Sequence, residues 1–201
     1  MRNANHALIV IDVQNDFCPG GALAVPDGDE IVPGINAMMD TVTAVILTQD
    51  WHPADHQSFA SQHPGKAPMD MIEMSYGAQI LWPDHCVQGS YGAAFHPDLN
   101  VDRADLVLRK GFRRGVDSYS AFFENDKTTP TGLEGYLRTR GFETLTFVGL
   151  ATDFCVNYSA RDAAGLGFAV DVHTTLTRAI DLNGSLRAAT SDMHAAGVTL
   201  V

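Results

Sequence analysis

The sequence contains no run of apolar residues approaching the ~18 that would cross a bilayer, so nothing in it argues for a membrane protein. Basic residues are also few: 13 Lys and Arg stand against 24 Asp and Glu, a formal net charge of −11. A surface of that sign repels phosphate backbones, which argues against nucleic acid as a partner. Cysteine is scarce. Cys18, Cys86 and Cys155 make an odd number without disulfide-scaffold spacing, so they read as reduced thiols, one of them a candidate nucleophile. The N-terminus is polar and leads straight into a strand-like run, without the apolar stretch of a secretory signal. The expectation is a soluble, cytoplasmic protein. Internal repeats, low-complexity tracts and linkers are lacking too, and residues 1–201 are expected to form one domain.

What the chain does have is a regular alternation of strand and helix patterns. Short apolar, β-branched runs at residues 6–13, 44–48, 105–109, 144–148, 168–172 and 198–201 read as buried strands. Helical patterns lie at residues 31–42, 132–140, 153–166 and 183–196, with Pro33 in a first turn, where its missing N–H costs little. This alternation implies right-handed βαβ crossovers and an α/β fold: a three-layer α/β/α sandwich with a mainly parallel, doubly wound sheet. Residues 49–100 break the rhythm. They are rich in His, Pro, Gly, Trp and Asp with little periodicity, and so long a loop inside a compact domain is expected to be functional.

Open α/β sheets bind ligands at the carboxyl ends of their strands. That rule gathers Asp12, Asp50, Lys110 and the Thr152–Cys155 stretch in one place before any family is considered. Thr152 is a plausible N-cap, which would put Cys155 in a first helical turn. Free N–H groups and the helix dipole there favour a thiolate and could cradle an oxyanion, although Asp153 next door would oppose the thiolate. A lone cysteine is more often inert packing. A carboxylate such as Asp12 ending an apolar strand needs a partner, and Lys110 offers one. Taken as a structural ion pair the two explain only themselves. Taken with Cys155 they make a nucleophile, a base and a cation that holds the base, a set suited to acyl transfer through a thioester.

Asp50 and His52 sit two apart on one side of an extended segment, and His85 could complete a set of one carboxylate and two histidines. Three protein ligands with open positions is the pattern of a catalytic metal site. Imidazole and carboxylate suit zinc, iron or manganese alike, and spacing does not choose among them. His56 is a candidate fourth ligand or an outer group, while His6, His63, His96, His173 and His194 read as structural or exposed. Phe17, Trp82 and Tyr119 lie beside these motifs and could line a flat pocket. Cys18 and Cys86 have no role beyond packing.

With those residues assembled, the chain resembles the nicotinamidases among the isochorismatase-like cysteine hydrolases. The matching pieces are Asp12-Val-Gln-Asn-Asp-Phe-Cys-Pro-Gly-Gly-Ala-Leu, Thr48-Gln-Asp-Trp-His-Pro, His56-Gln-Ser-Phe-Ala, Trp82-Pro-Asp-His-Cys-Val-Gln-Gly-Ser, Arg109-Lys-Gly, Asp117-Ser-Tyr-Ser-Ala-Phe and Gly149-Leu-Ala-Thr-Asp-Phe-Cys-Val. They occur in the family's order and span almost the whole chain; the stretch at residues 112–116, with Arg113 and Arg114, matches no motif. The resemblance implies Cys155 as nucleophile, Asp12 as general base, Lys110 as third member of the triad, and Asp50, His52 and His85 as ligands to one divalent metal. It also implies a cis peptide between Leu150 and Ala151, an oxyanion hole from the N–H groups of Ala151 and Cys155, and ring walls from Phe17, Trp82 and Tyr119. In similar enzymes the metal binds the pyridine nitrogen and fixes the carboxamide over the sulfur. The implied reaction is deamidation of nicotinamide, with pyrazinamide often accepted, in NAD salvage. Self-association into a homo-oligomer is left open. Two competing readings remain. A metal-free relative acting on a carbamoyl, ureido or vinyl ether compound would have no use for Asp50, His52 and His85 together. A non-catalytic metal-binding or thiol redox protein would leave Asp12 and Lys110 without purpose.

Overall fold

The computed structural model describes residues 5–201; the polar residues 1–4 lie outside the described part. The strands are β1 (His6–Ile11), β2 (Ala44–Asp50), β3 (Met71–Met74), β4 (Gly77–Ile80), β5 (Leu106–Lys110), β6 (Thr144–Leu150), β7 (Ala169–Arg178) and β8 (Thr199–Leu200). The helices are α1 (Val32–Met39), α2 (Leu133–Thr139), α3 (Asn157–Gly165) and α4 (Ser185–Ala195). Six strands form one sheet in the order β5-β2-β1-β6-β7-β8, and every neighbouring pair is parallel.

Alternation along the strands explains the layers. In β1, Leu8 and Val10 join the core on one face, while Ala7, Ile9 and Ile11 join that on the other. Val32, Ile35 and Met39 of α1 cover the first face, and residues of α2, α3 and α4 cover the second. Irregular chain completes the first layer: Phe17, Leu23 and Val25 after β1, then Trp82, Cys86 and Leu99 from the long segment. The fold is a doubly wound α/β/α sandwich. From β1 the chain moves outward to β2 and β5, then returns to β6 on the other side of β1. The crevice between the ends of β1 and β6 is therefore the topological switch point, where such sheets bind ligands.

Strand lengths depart from the apolar runs for identifiable reasons. β2 continues to Asp50, pairing Asp50 with Lys110 of β5, because the buried Gln14 side chain bonds the backbone N–H (2.7 Å) and C=O (2.9 Å) of Asp50. β7 runs on through the polar, partly exposed His173–Arg178, beyond a register shift opposite Phe147 and Gly149. Residues 49–100 are not wholly irregular: β3 and β4 pair as an antiparallel hairpin. Its strands have only four residues each, too short for a periodic signal to be read. Among the described residues no helix is long and apolar enough to cross a membrane.

Candidate active site

Asp12 follows β1 with a left-handed backbone (φ 47°), which ends the strand and is a conformation that Asp tolerates better than most residues. Its carboxylate is fully buried; Thr48 Oγ1 donates to Oδ1 at 2.7 Å, and Lys110 Nζ lies 2.8 Å from Oδ2. Lys110 is the buried end of the edge strand β5. Its ammonium also donates to Asp50 Oδ1 (2.5 Å) and to the Ser118 carbonyl (2.9 Å), and it lies 3.5 Å from Cys155 Sγ. Carboxylate oxygens of Asp12 and Asp50 and the Cys155 sulfur all lie within 4.8 Å of one another. The three residues therefore form one cluster, and Asp50, expected beside them as a metal ligand, also shares their ammonium.

The strand-to-helix turn at Cys155 differs from the expected capped α-helix. Residues Thr152–Val156 form a π-turn in which the Val156 N–H donates to the Ala151 carbonyl at 3.1 Å, and no side chain caps it. Thr152 is thus no N-cap. The Leu150–Ala151 peptide is cis. Asp153 does not face the sulfur either: its carboxylate accepts from the N–H groups of Ile180 (3.0 Å) and Asp181 (2.7 Å) and from Ser185 Oγ. Gly149, at φ 109°, lets β6 close on β1, since a Cβ there would collide with the Ile11 backbone.

Charges in the cluster are set by burial against pairing. Burial works against the ammonium, but Asp12, Asp50 and Cys155 hold Lys110 well above its usual range. Burial likewise works against the Asp50 carboxylate, and Lys110 and His52 nonetheless hold it ionised. Burial raises Asp12 despite Lys110, and it pushes the Cys155 thiol well up, against the pull of Lys110 and helped by the two carboxylates. The resting sulfur therefore keeps its proton, with a carboxylate of raised basicity beside it.

Asp50 Oδ2 faces the other way, 3.4 Å from His52 Nε2 and 3.8 Å from His85 Nε2. The Nδ1 atoms of both histidines point outward, each 2.8 Å from a backbone carbonyl, Gly111 for His52 and Pro83 for His85. Donation from Nδ1–H fixes the tautomer that leaves each Nε2 lone pair aimed at Asp50, the usual support of a metal-ligating imidazole. This donor set fits one divalent metal. His56 lies outside it: Nδ1 pairs with Ser58 Oγ at 2.7 Å and Nε2 faces the Val116 carbonyl at 3.3 Å, with the ring 4.3 Å from that of His52. Cys86 is buried in the core, where burial and nearby carboxylates raise its thiol well up.

Between the two clusters opens a cavity bordered by Asp50, His85, Ala151 and Cys155 and walled by Phe17, Trp82 and Tyr119. Trp82 meets Phe154 edge-on at 5.0 Å, and Tyr119 meets it at 5.8 Å. Leu23, Asp117, Phe154 and Ile180 also border the cavity and were missed in the sequence. Leu23, Asp117 and Phe154 sit inside matched motifs, a usable signal; Ile180 carries none. The unmatched Arg113 and Arg114 form ion pairs with Glu124 (3.2 Å) and Asp55 (2.6 Å).

Known proteins agree with this geometry. The chain is 53% identical to the nicotinamidase of Acinetobacter baylyi over 199 residues, 98% of this chain and 93% of that one. Among solved structures, an Acinetobacter baumanii nicotinamidase/pyrazinamidase superposes with a TM-score of 0.99 at 53% identity, covering 100% and 97% of the two chains. PnC1 from L. infantum in complex with nicotinate gives 0.86 at 39% identity, covering 100% and 94%. The pyrazinamidase of Pyrococcus horikoshii in complex with zinc gives 0.78 at 33%, covering 98% of each. The profile of the isochorismatase domain matches residues 6–201, and the chain belongs to the isochorismatase family.

Proposed function

We propose that this chain hydrolyses nicotinamide to nicotinic acid and ammonia through a thioester on Cys155, and that it accepts pyrazinamide as a close analogue. The observation that carries the reading is the placement of Lys110 Nζ within 3.5 Å of Asp12, Asp50 and Cys155 together. Asp12 takes the thiol proton as Cys155 Sγ attacks the amide carbon, and the N–H groups of Ala151 and Cys155 receive the developing oxyanion. Asp12 then returns the proton to the departing nitrogen, so the C–N bond breaks as ammonia leaves. Water adds to the thioester with Asp12 again as base; nicotinic acid departs and the sulfur regains its proton. Lys110 keeps Asp12 oriented throughout. Phe17, Trp82 and Tyr119 sandwich the ring and exclude water.

Asp50, His52 and His85 would hold a divalent metal, zinc in the first instance, which when bound would supply a Lewis acid to anchor a ring nitrogen. The relatives' zinc and nicotinate complexes support both parts of this reading. The metal-free alternative is disfavoured by the buried convergence of ligand atoms from Asp50, His52 and His85 within 4.8 Å of one another, a set for which that reading has no use. We place the activity in the cytoplasm, in the salvage of nicotinamide, on one catalytic domain. The test is ammonia release from nicotinamide by metal-analysed protein. Cys155→Ala should lose turnover by several orders of magnitude while still binding the substrate, and full turnover in that variant would overturn the mechanism.

A further inference from the structure

The hairpin β3–β4 has one fully buried side chain, and it is polar. Gln79 is 1% exposed, whereas every other residue of the two strands is partly or fully exposed. Its amide nitrogen lies 2.9 Å from Asp117 Oδ2, 2.9 Å from Tyr119 Oη and 2.7 Å from the Ile80 carbonyl. Its oxygen faces two donors, Tyr76 Oη and Asn125 Nδ2, each at 3.1 Å. The nitrogen thus meets acceptors and the oxygen meets donors, so the amide orientation is over-determined. Tyr119 Oη in turn receives Trp82 Nε1–H at 3.1 Å, and the Tyr119 backbone N–H donates to Asn125 Oδ1 at 3.1 Å. Tyr119, Trp82 and Asp117 border the cavity, whereas Gln79 does not.

We infer that Gln79 is a positioning residue for the substrate ring: it touches no reacting atom but fixes the tyrosine–tryptophan wall and the Asp117 carboxylate. This rests on the nicotinamide-hydrolase reading and adds a specificity determinant to it. Ile80 packs only partly against the core, and the Gln79 amide is the one fully buried anchor of the hairpin strands, so its loss should loosen the ring wall and leave the thiol cluster and the metal donors untouched.

The test is Gln79→Met, which keeps length and removes every hydrogen bond, with Gln79→Glu as the second variant, which keeps the acceptor but cannot donate to Asp117 or Tyr119. The KM for nicotinamide should rise about ten-fold in either, the scale of one lost hydrogen bond, with kcat, metal content and the rate of Cys155 alkylation unchanged. In a Tyr119→Phe background the same substitution should raise KM by less than about three-fold, because residues acting as one unit are not additive. A substrate-free readout is the indole N–H resonance: of the two tryptophans, Trp82 should shift and Trp51 should not. Multiplicative effects in the double variant, slowed alkylation of Cys155, or an unmoved Trp82 resonance would overturn the inference. Wild-type protein that releases no ammonia from nicotinamide would instead overturn the proposed function, while the resonance still decides the role of Gln79.

Discussion

Lys110 is the residue whose removal tests the site most severely. Its ammonium is fully buried between Asp12 (2.8 Å) and Asp50 (2.5 Å). Lys110→Met keeps most of the stem and deletes the charge, leaving two buried carboxylates without their shared counter-ion. Breaking a buried pair in this way costs about 3–5 kcal/mol. In a chain of this size each kcal/mol moves the melting temperature by about 2–4 °C, so the variant should melt about 6–20 °C lower. The carboxylates will respond by taking up a proton. Burial already raises Asp12 and Lys110 opposes that rise, so without Lys110 its pKa climbs further. A carboxylate with a folded pKa above its unfolded value contributes stability below the unfolded pKa and loses it as pH rises through the folded one. The deficit of Lys110→Met should therefore be smaller near about pH 5 than near about pH 8.

A protonated Asp12 cannot accept the thiol proton, so ammonia release should fall by about 10²–10⁴-fold, the usual contribution of a general base. The double variant Asp12→Asn/Lys110→Met separates the two effects. It removes one orphaned charge, so it should melt higher than Lys110→Met while remaining as inactive. Thermal melts at both pH values and an ammonia assay decide the matter. A Lys110→Met protein that melts within about 2 °C of wild type, or a double variant that melts lower still, would refute the charge-compensation argument.

Further outcomes follow from the metal donors. Gly111 has φ 66°, and a Cβ on it would lie 2.5 Å from His52 Cε1; Gly111→Ala should displace the imidazole and lower the bound metal measured by elemental analysis, with Cys155 still alkylated at the wild-type rate. His52→Ala should raise the KM for nicotinamide far more than it lowers kcat, and chelator treatment of wild type should reproduce that; a collapse of kcat at unchanged KM would contradict anchorage of the ring. Burial, with help from His52, lowers His56 to about 4. The unfolded chain then binds the proton that the folded one refuses, so stability should fall by about 3 kcal/mol as pH drops from about 6.5 to about 4. His56→Asn should flatten that part of a plot of urea midpoint against pH.

The apolar runs made six parallel strands legible, because both faces of the sheet are covered and the runs are nearly continuous. The polar continuations were not: β2 reaches Asp50 through a side-chain amide, and β7 reaches Arg178 through half-exposed threonines. The π-turn was hidden because a Thr followed by an acidic residue, as in Thr152-Asp153, reads like an ordinary capped helix start. Residue types were enough to single out Asp12, Lys110 and Cys155, and Asp50, His52 and His85, which the structure gathers into two adjoining clusters. What composition could not reveal was that Asp50 belongs to both. One of its oxygens meets Lys110 and the other faces the two imidazoles, a fact that depends on the β2–β5 register and not on spacing along the chain. Gln79 was similarly invisible, since a single buried amide on a short hairpin carries no periodic signal.

Register is where fold and chemistry meet. Ile46↔Leu106 and Leu47↔Val107 align β2 with β5, and continuing that alignment places Asp50 opposite Lys110. Along β5 the burial alternates, so Arg109 faces outward and stacks on Trp51 at 3.8 Å while Lys110 turns in. A slip of one residue would exchange the two faces and bring Arg109 to the cluster. A planar guanidinium, always charged and built to pair with carboxylates in a fork, could not sit as a point charge between Asp12, Asp50 and a sulfur. The apolar pairs that hold the edge strand therefore also select which cation serves the nucleophile, and the sheet cannot be misaligned there without losing the site.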